Sequence, residues 1–151
     1  MAASGVCTRA PQAVSVLFVD DDADCRFSYQ LIATEEGMLV ELARDGHEAL
    51  AIAGVLLPDV IVLDVGLRSL DELDGFEVAR RLRANLRTSR IPIVFLSGYN
   101  SADQVAAMLA SGCDGHLVKP CSAETLLGLV TDLAMSRRAE VSGGEVRAST
   151  A

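Results

Sequence analysis

The sequence predicts an α/β domain, a doubly wound sheet of five parallel strands with helices packed on both faces. Three observations carry this. Five short apolar runs, residues 14–19, 39–43, 60–63, 91–96 and 116–118, are rich in Val, Ile and Leu, as strands buried on both faces are. The segments between them carry helical periodicity, and strands alternating with helices at this interval give parallel βαβ units with right-handed crossovers. Half the residues are apolar but only 4% are aromatic and none is Trp, so the core must be aliphatic, which suits packed α/β layers.

The helices follow in order. In the first, Phe27, Leu31 and Ile32 share a face after Asp22 or Asp24 as N-cap. In the second, His47, Leu50, Ala51 and Val55 do the same. Val78, Ala79 and Leu82 mark the third, and Val105, Met108 and Leu109 the fourth. A fifth spans 122–135 with Leu126, Leu129, Val130 and Leu133 inward. Asp45-Gly46 and Asp114-Gly115 are read as turn chemistry at element junctions. The expected organisation is a flexible segment at 1–13, one domain at 14–136 and a polar flexible tail at 137–151.

The formal net charge of -8 and pI near 4.6 oppose contact with nucleic-acid phosphates and anionic lipid, so neither nucleic acid nor membrane is an expected partner. No run of about 18 apolar residues offers a spanning helix, and residues 1–12 lack the apolar middle of a signal peptide. Cys7, Cys25, Cys113 and Cys121 show no metal-binding spacing and are expected as reduced thiols in the cytoplasm.

Ligands of open α/β sheets bind beyond the carboxyl ends of the strands. There the first run ends in Asp20, Asp21 and Asp22, the third in Asp64, the fourth in Ser97 and the fifth in Lys119-Pro120. Clustered carboxylates repel one another unless a hard cation neutralises them, which argues for a divalent-metal site. Taken singly, a strand-end Asp is as readily a helix cap as a ligand, and that reading competes for Asp22 and Asp24. The order and placement of all four groups together make the stronger case.

The segments VLFVDDD, VIVLD, VFLSGY and LVKP resemble the signature of response-regulator receiver domains of the chemotaxis type, over residues 15–135. The resemblance implies a flavodoxin-like sheet of order 2-1-3-4-5 with five helices, and a stand-alone phosphoacceptor switch of two-component phosphorelay signalling rather than an enzyme. It implies Asp64 as phosphoacceptor, Ser97 and Lys119 as the groups that meet the phosphoryl oxygens, and a cis bond before Pro120. For Mg²⁺ it implies Asp21 as main ligand, Asp20 as its partner through water, Asp64, and the backbone carbonyl of Gly66. Partners would be a sensor histidine kinase or phosphotransfer protein and a downstream protein target, with a weak homodimer as a family option. The charge balance supports this chemistry, because a carboxylate can attack phosphorus only when the incoming negative charge is offset. A haloacid-dehalogenase-type phosphohydrolase is the rival, but Gly66 stands where its second Asp is needed. A degenerate receiver serving only for docking is disfavoured by the filled phosphotransfer positions.

Two departures from the family stand out. The segment VGLRSLDELDG is about three residues long for the family and has Arg68 in place of a Pro. It is read as a tolerated surface insertion, against a partner-contacting element in which Asp71, Glu72 and Asp74 add negative charge. His116 stands where an aromatic switch residue is usual and is read as a surface or turn residue, with Tyr99 as a substitute aromatic surface and His47 as a helix-face residue.

Overall fold

The computed structural model describes residues 12–68, 73–98 and 101–150, without side chains for 142–150. The elements alternate as β1 (Ser15–Val19), α1 (Ala23–Glu35), β2 (Leu39–Ala43), α2 (Gly46–Leu56), β3 (Val60–Asp64), α3 (Gly75–Ala84), β4 (Ile93–Ser97), α4 (Ala102–Ala110), β5 (Gly115–Val118) and α5 (Ala123–Thr150). The strands form one sheet of order β2-β1-β3-β4-β5, parallel throughout. This is the predicted doubly wound architecture.

Strand geometry sends successive side chains to opposite faces, and both faces are covered. Leu17, Val19, Ile61, Leu63, Ile93 and Phe95 pack with Ala49 and Ala53 of α2, Val78, Ala79 and Leu82 of α3 and Met108 of α4. Val16, Phe18, Val62, Val94 and Leu96 pack with Ala33 of α1 and Leu126, Leu127, Val130 and Ala134 of α5. The apolar runs are therefore continuous rather than alternating.

The faces of two helices differ from the sequence reading. On α1, Phe27 and Leu31 are exposed while Tyr29, Ile32 and Ala33 turn inward. On α2, His47, Ala51 and Val55 are exposed, whereas Gly46, Ala49 and Ala53 are buried. Helices lying close on a sheet bury small residues along the line of nearest approach, so counting large apolar residues selects the wrong stripe. On α4, Leu109 is exposed and Met108 takes the inward position.

The two Asp-Gly pairs are not tight turns. Asp45 caps α2 by accepting from Glu48 N–H, and a Cβ on Gly46 would lie 2.7 Å from side-chain atoms of Leu73 and Val78, so this glycine permits close packing of α2 on α3. Asp114 accepts from Ile93 N–H at 2.9 Å and from Arg83 at 2.7 Å, tying β4 to the start of β5. The fifth helix runs to Thr150 rather than ending at Met135. Residues 136–150 contain no Pro, so backbone hydrogen bonding propagates beyond the apolar face. Arg138 anchors the extension, donating to the carbonyls of Gln12 and Ala13 and to Asp59.

Candidate functional site

The three central strands β1, β3 and β4 and the edge strand β5 all end on one side of the sheet, and their final residues or immediate successors converge there. Asp20 follows β1, Asp64 and Ser97 are the last residues of β3 and β4, and Lys119 follows β5. Register enforces this: Asp64 pairs with Leu96, Ser97 pairs with Val118, and Lys119 N–H donates to the Ser97 carbonyl at 2.7 Å. The bond between Lys119 and Pro120 is cis.

One carboxylate oxygen each from Asp20, Asp21 and Asp64 lies within 4.8 Å of the others. The Lys119 ammonium lies 3.0 Å from Asp20 Oδ2 and 3.5 Å from Asp64 Oδ2. Asp20 is buried and its oxygens are engaged: Oδ1 accepts from Asp22 N–H at 2.9 Å, and Oδ2 also takes the Tyr29 hydroxyl at 3.4 Å. Asp21 is more open and accepts from Arg68 N–H at 3.1 Å, with the Arg68 guanidinium 3.9 Å away. Asp64 Oδ1 accepts from Gly66 N–H at 3.0 Å.

Burial raises the Asp64 carboxyl above its ordinary range, opposed by the Gly66 N–H and the Lys119 charge. Burial alone would lower Lys119, but the Asp20 hydrogen bond and the Asp64 charge outweigh it and hold the ammonium firmly protonated. Burial, partly offset by Lys119 and reinforced by Asp20, keeps the Tyr29 phenol protonated. Asp22 is occupied elsewhere: its side chain accepts from Asp24 N–H at 2.9 Å and caps α1, which lowers its carboxyl. The capping reading therefore describes Asp22.

The loop after β3 is anchored at both described ends. Leu67 and Leu73 are buried in the core. Asp74 spends its carboxylate on capping α3, accepting from Glu77 N–H at 2.9 Å, rather than adding free charge to the site. A Cβ on Gly75 would lie 2.6 Å from the Asp64 carbonyl, so glycine is what lets α3 begin against the end of β3. Asp71, Glu72 and Tyr99 lie outside the described residues. His116 is half-buried inside β5, paired with Phe95, rather than in a turn.

Sequence reasoning missed Tyr29, which stacks on Phe18 with ring centroids 5.0 Å apart and reaches Asp20. The signal was available: with Asp22 as N-cap, 29, 32 and 33 form one face. It also missed Gln104 of α4, which lines the same cleft.

Residues 16–131 match the profile of the response regulator receiver domain. The chain belongs to this family. The receiver is 37% identical over 137 residues to the response regulator MprA of Mycolicibacterium vanbaalenii, covering 91% of this chain and 57% of that one. It is 38% identical over 112 residues to the transcriptional regulatory protein AfsQ1 of Streptomyces coelicolor, covering 74% and 47%. The chain thus spans about half the length of the curated relatives it matches. Among solved structures, the chemotaxis response regulator CheY4 of Vibrio cholerae is 34% identical with TM-score 0.74, covering 81% of this receiver and all but a trace of that chain, 99%. A CheY-like receiver domain from Methanospirillum hungatei, 24% identical with TM-score 0.76 over 85% and 99% of the two chains, shares the fold. Receiver domains of this family are signalling switches of two-component systems. Among the described residues no helix is long and apolar enough to cross a membrane.

Proposed function

We propose that this receiver is a phosphoacceptor switch in which Asp64 takes a phosphoryl group from a histidine kinase or phosphotransfer protein and signals through protein contacts. The observation that carries the reading is the placement of Asp64: the carboxylate ending the central strand stands 3.5 Å from Lys119 in a cluster with two further carboxylates. The donor set consists of hard oxygen ligands in charge excess over one ammonium, which fits Mg²⁺. Asp21, Asp64 and the Gly66 carbonyl would hold the ion directly and Asp20 through water. When bound, it neutralises developing charge on the transferring group.

The chain's own residues do the rest. Gly66 N–H and Lys119 oppose the rise that burial imposes on the Asp64 carboxyl and so favour its anion. Asp20, locked by Asp22 N–H and Tyr29, fixes the Lys119 ammonium so that it meets phosphoryl oxygens without reorganising. Ser97, buried at the end of β4, offers a hydroxyl to the same group. New oxygens on Asp64 that pull Ser97 and Lys119 inward would move the ends of β4 and β5, a local charge change with a surface readout. We place this chemistry in the cytoplasm, with no duplex-DNA affinity of the chain itself, in keeping with its charge of -8.

Incubation with acetyl phosphate and Mg²⁺, read by intact mass, tests the proposal. The parent should take one phosphoryl group and Asp64→Asn none, while Asp21→Asn recovers in part with excess Mg²⁺ and Asp22→Asn labels like the parent. Labelling of Asp64→Asn but not of Asp20→Asn would move the acceptor to β1. Rapid phosphate turnover would favour the phosphohydrolase, and inertness the docking module.

A further inference from the structure

We propose that Arg68 receives the phosphodonor: it pairs with Asp21 while the site is without metal, is released when Asp21 turns to Mg²⁺, and then binds the phosphoryl dianion that Asp64 accepts. The inference rests on the acceptor role given to Asp64 above. The cleft of about 630 Å³ at the strand ends is lined by four carboxylates, Asp20, Asp21, Asp22 and Asp64, and, among the described residues, by two cations, Lys119 and Arg68. Lys119 is half-buried between Asp20 and Asp64. Arg68 is held differently. Its main-chain N–H donates to Asp21 Oδ2 at 3.1 Å, which ties the loop to the site. Its guanidinium stands 3.9 Å from the same oxygen, in a side chain that is 94% exposed.

The charges dictate what that guanidinium can do. Lys119 and one divalent ion balance three of the four carboxylates, so the cleft stays negative towards an arriving phosphoryl dianion and repels it. One more cation is needed at the mouth. Cys25 and the Gly98 N–H, also in the lining, are neutral donors, and Cys25 Sγ already lies 3.6 Å from Asp22 Oδ2. Arg68 is the cation that can move. An exposed ion pair contributes little, and a divalent ion seated on Asp21 repels a guanidinium this near. The main-chain bond keeps Arg68 at the site after its side chain lets go. Asp21 and Asp64 each offer an oxygen to the cluster, and these lie within 4.8 Å of one another. A phosphoryl group at Asp64 therefore stands beside the carboxylate that Arg68 has left, where the planar guanidinium fork can meet two of its oxygens. Arg68 forms no covalent bond and moves no proton. It draws the donor in and orients it, and it does so only when the metal is in place.

The test compares parent, Arg68→Ala, Arg68→Lys and Arg68→Glu in the full chain. Labelling by acetyl phosphate at saturating Mg²⁺ is read by intact mass, and the Mg²⁺ midpoint is read separately from the metal-dependent rise in melting temperature. Arg68→Ala should label about fivefold more slowly, the scale of one exposed charge contact, and yet bind Mg²⁺ about twofold more tightly. Its labelling should also fall less steeply with added salt than the parent's. Arg68→Glu should label roughly 25-fold more slowly, the same factor applied twice. Arg68→Lys keeps the charge without the fork and should stay within about threefold of the parent. Slower labelling together with tighter metal is the signature. A residue that only supports Asp21 would loosen the metal as it slowed labelling, and one that only competes with the metal would leave labelling at saturating Mg²⁺ unchanged. Either result, or a Glu variant that labels as fast as the parent, overturns the inference while leaving the acceptor reading in place. A parent that takes no label removes the acceptor reading and this inference with it.

Discussion

The two ends of the sheet each hold a carboxylate against a cation, and the contrast between them separates structural from functional charge. At the amino end, Asp59 accepts from Ser15 N–H at 2.9 Å, from Ser15 Oγ at 3.2 Å and from Arg138 at 2.8 Å. One anion meets one cation, and the pair ties β1, β3 and α5 together. At the carboxyl end, three carboxylates cluster, and the half-buried Lys119 ammonium pairs with only two of them, Asp20 and Asp64. That surplus raises the energy of the metal-free site, and cations arriving from solution can relieve it.

The largest expected effect comes from removing each cation in turn. Lys119→Met should lower the rate of labelling by acetyl phosphate at least 100-fold, as loss of one preorganised transition-state contact does. Arg138→Met should leave labelling within about twofold while costing on the order of 1–2 kcal/mol of stability in urea unfolding, a partly exposed pair being worth no more. Equal labelling by the two variants would erase the distinction between the ends.

Packing rather than charge anchors the long loop at the carboxyl end. Leu73→Ala should cost roughly 2–4 kcal/mol in denaturant unfolding, because Leu73 is 2% exposed and packs against α2. Deleting residues 69–71, which spares both leucine anchors, should leave a cooperative transition. The burial of Leu67 and Leu73 corrects the sequence-based view of the whole segment as a tolerated surface insertion, and the deletion tests that view for the residues between them.

Asp64 gives a pH test of the charge surplus. Its carboxyl is raised by burial, so the fold carries a penalty for the charged form. The penalty is absent below the ordinary carboxylate value of about 4, and it grows as pH rises through the higher folded value. Without metal, Asp64→Asn should melt above the parent at neutral pH, with the gap closing as pH falls towards that ordinary value. A gap that widens on acidification would mean that the anion is stabilised in the fold.

The smallest effect concerns Arg68, whose exposed guanidinium stands 3.9 Å from Asp21. Arg68→Ala should tighten Mg²⁺ binding about twofold, the scale of a surface ion pair, measured as a metal-dependent rise in melting temperature. Weaker binding would make Arg68 a support for Asp21 rather than a competitor for it.

Much of this was legible in the sequence, and the reasons differ by element. The five strands stand within about two residues of their apolar runs, because burial on both faces demands unbroken Val, Ile and Leu whatever the neighbours are. Asp20, Asp64, Ser97 and Lys119 were readable as a set, because each closes or follows a strand and parallel strands deliver their ends to one side. The inward stripes of α1 and α2 were not, since they depend on how closely each helix lies on the sheet, and that distance is set by Ala33, Ala49, Ala53 and Gly46. Nor does order along the chain place Lys119 against Asp20, 99 residues away, or bring Tyr29 and Gln104 to the cleft. The sequence by itself determined which residues end the strands; only the tertiary structure decided which of their charges are balanced, because balance depends on distance and burial that no local pattern records.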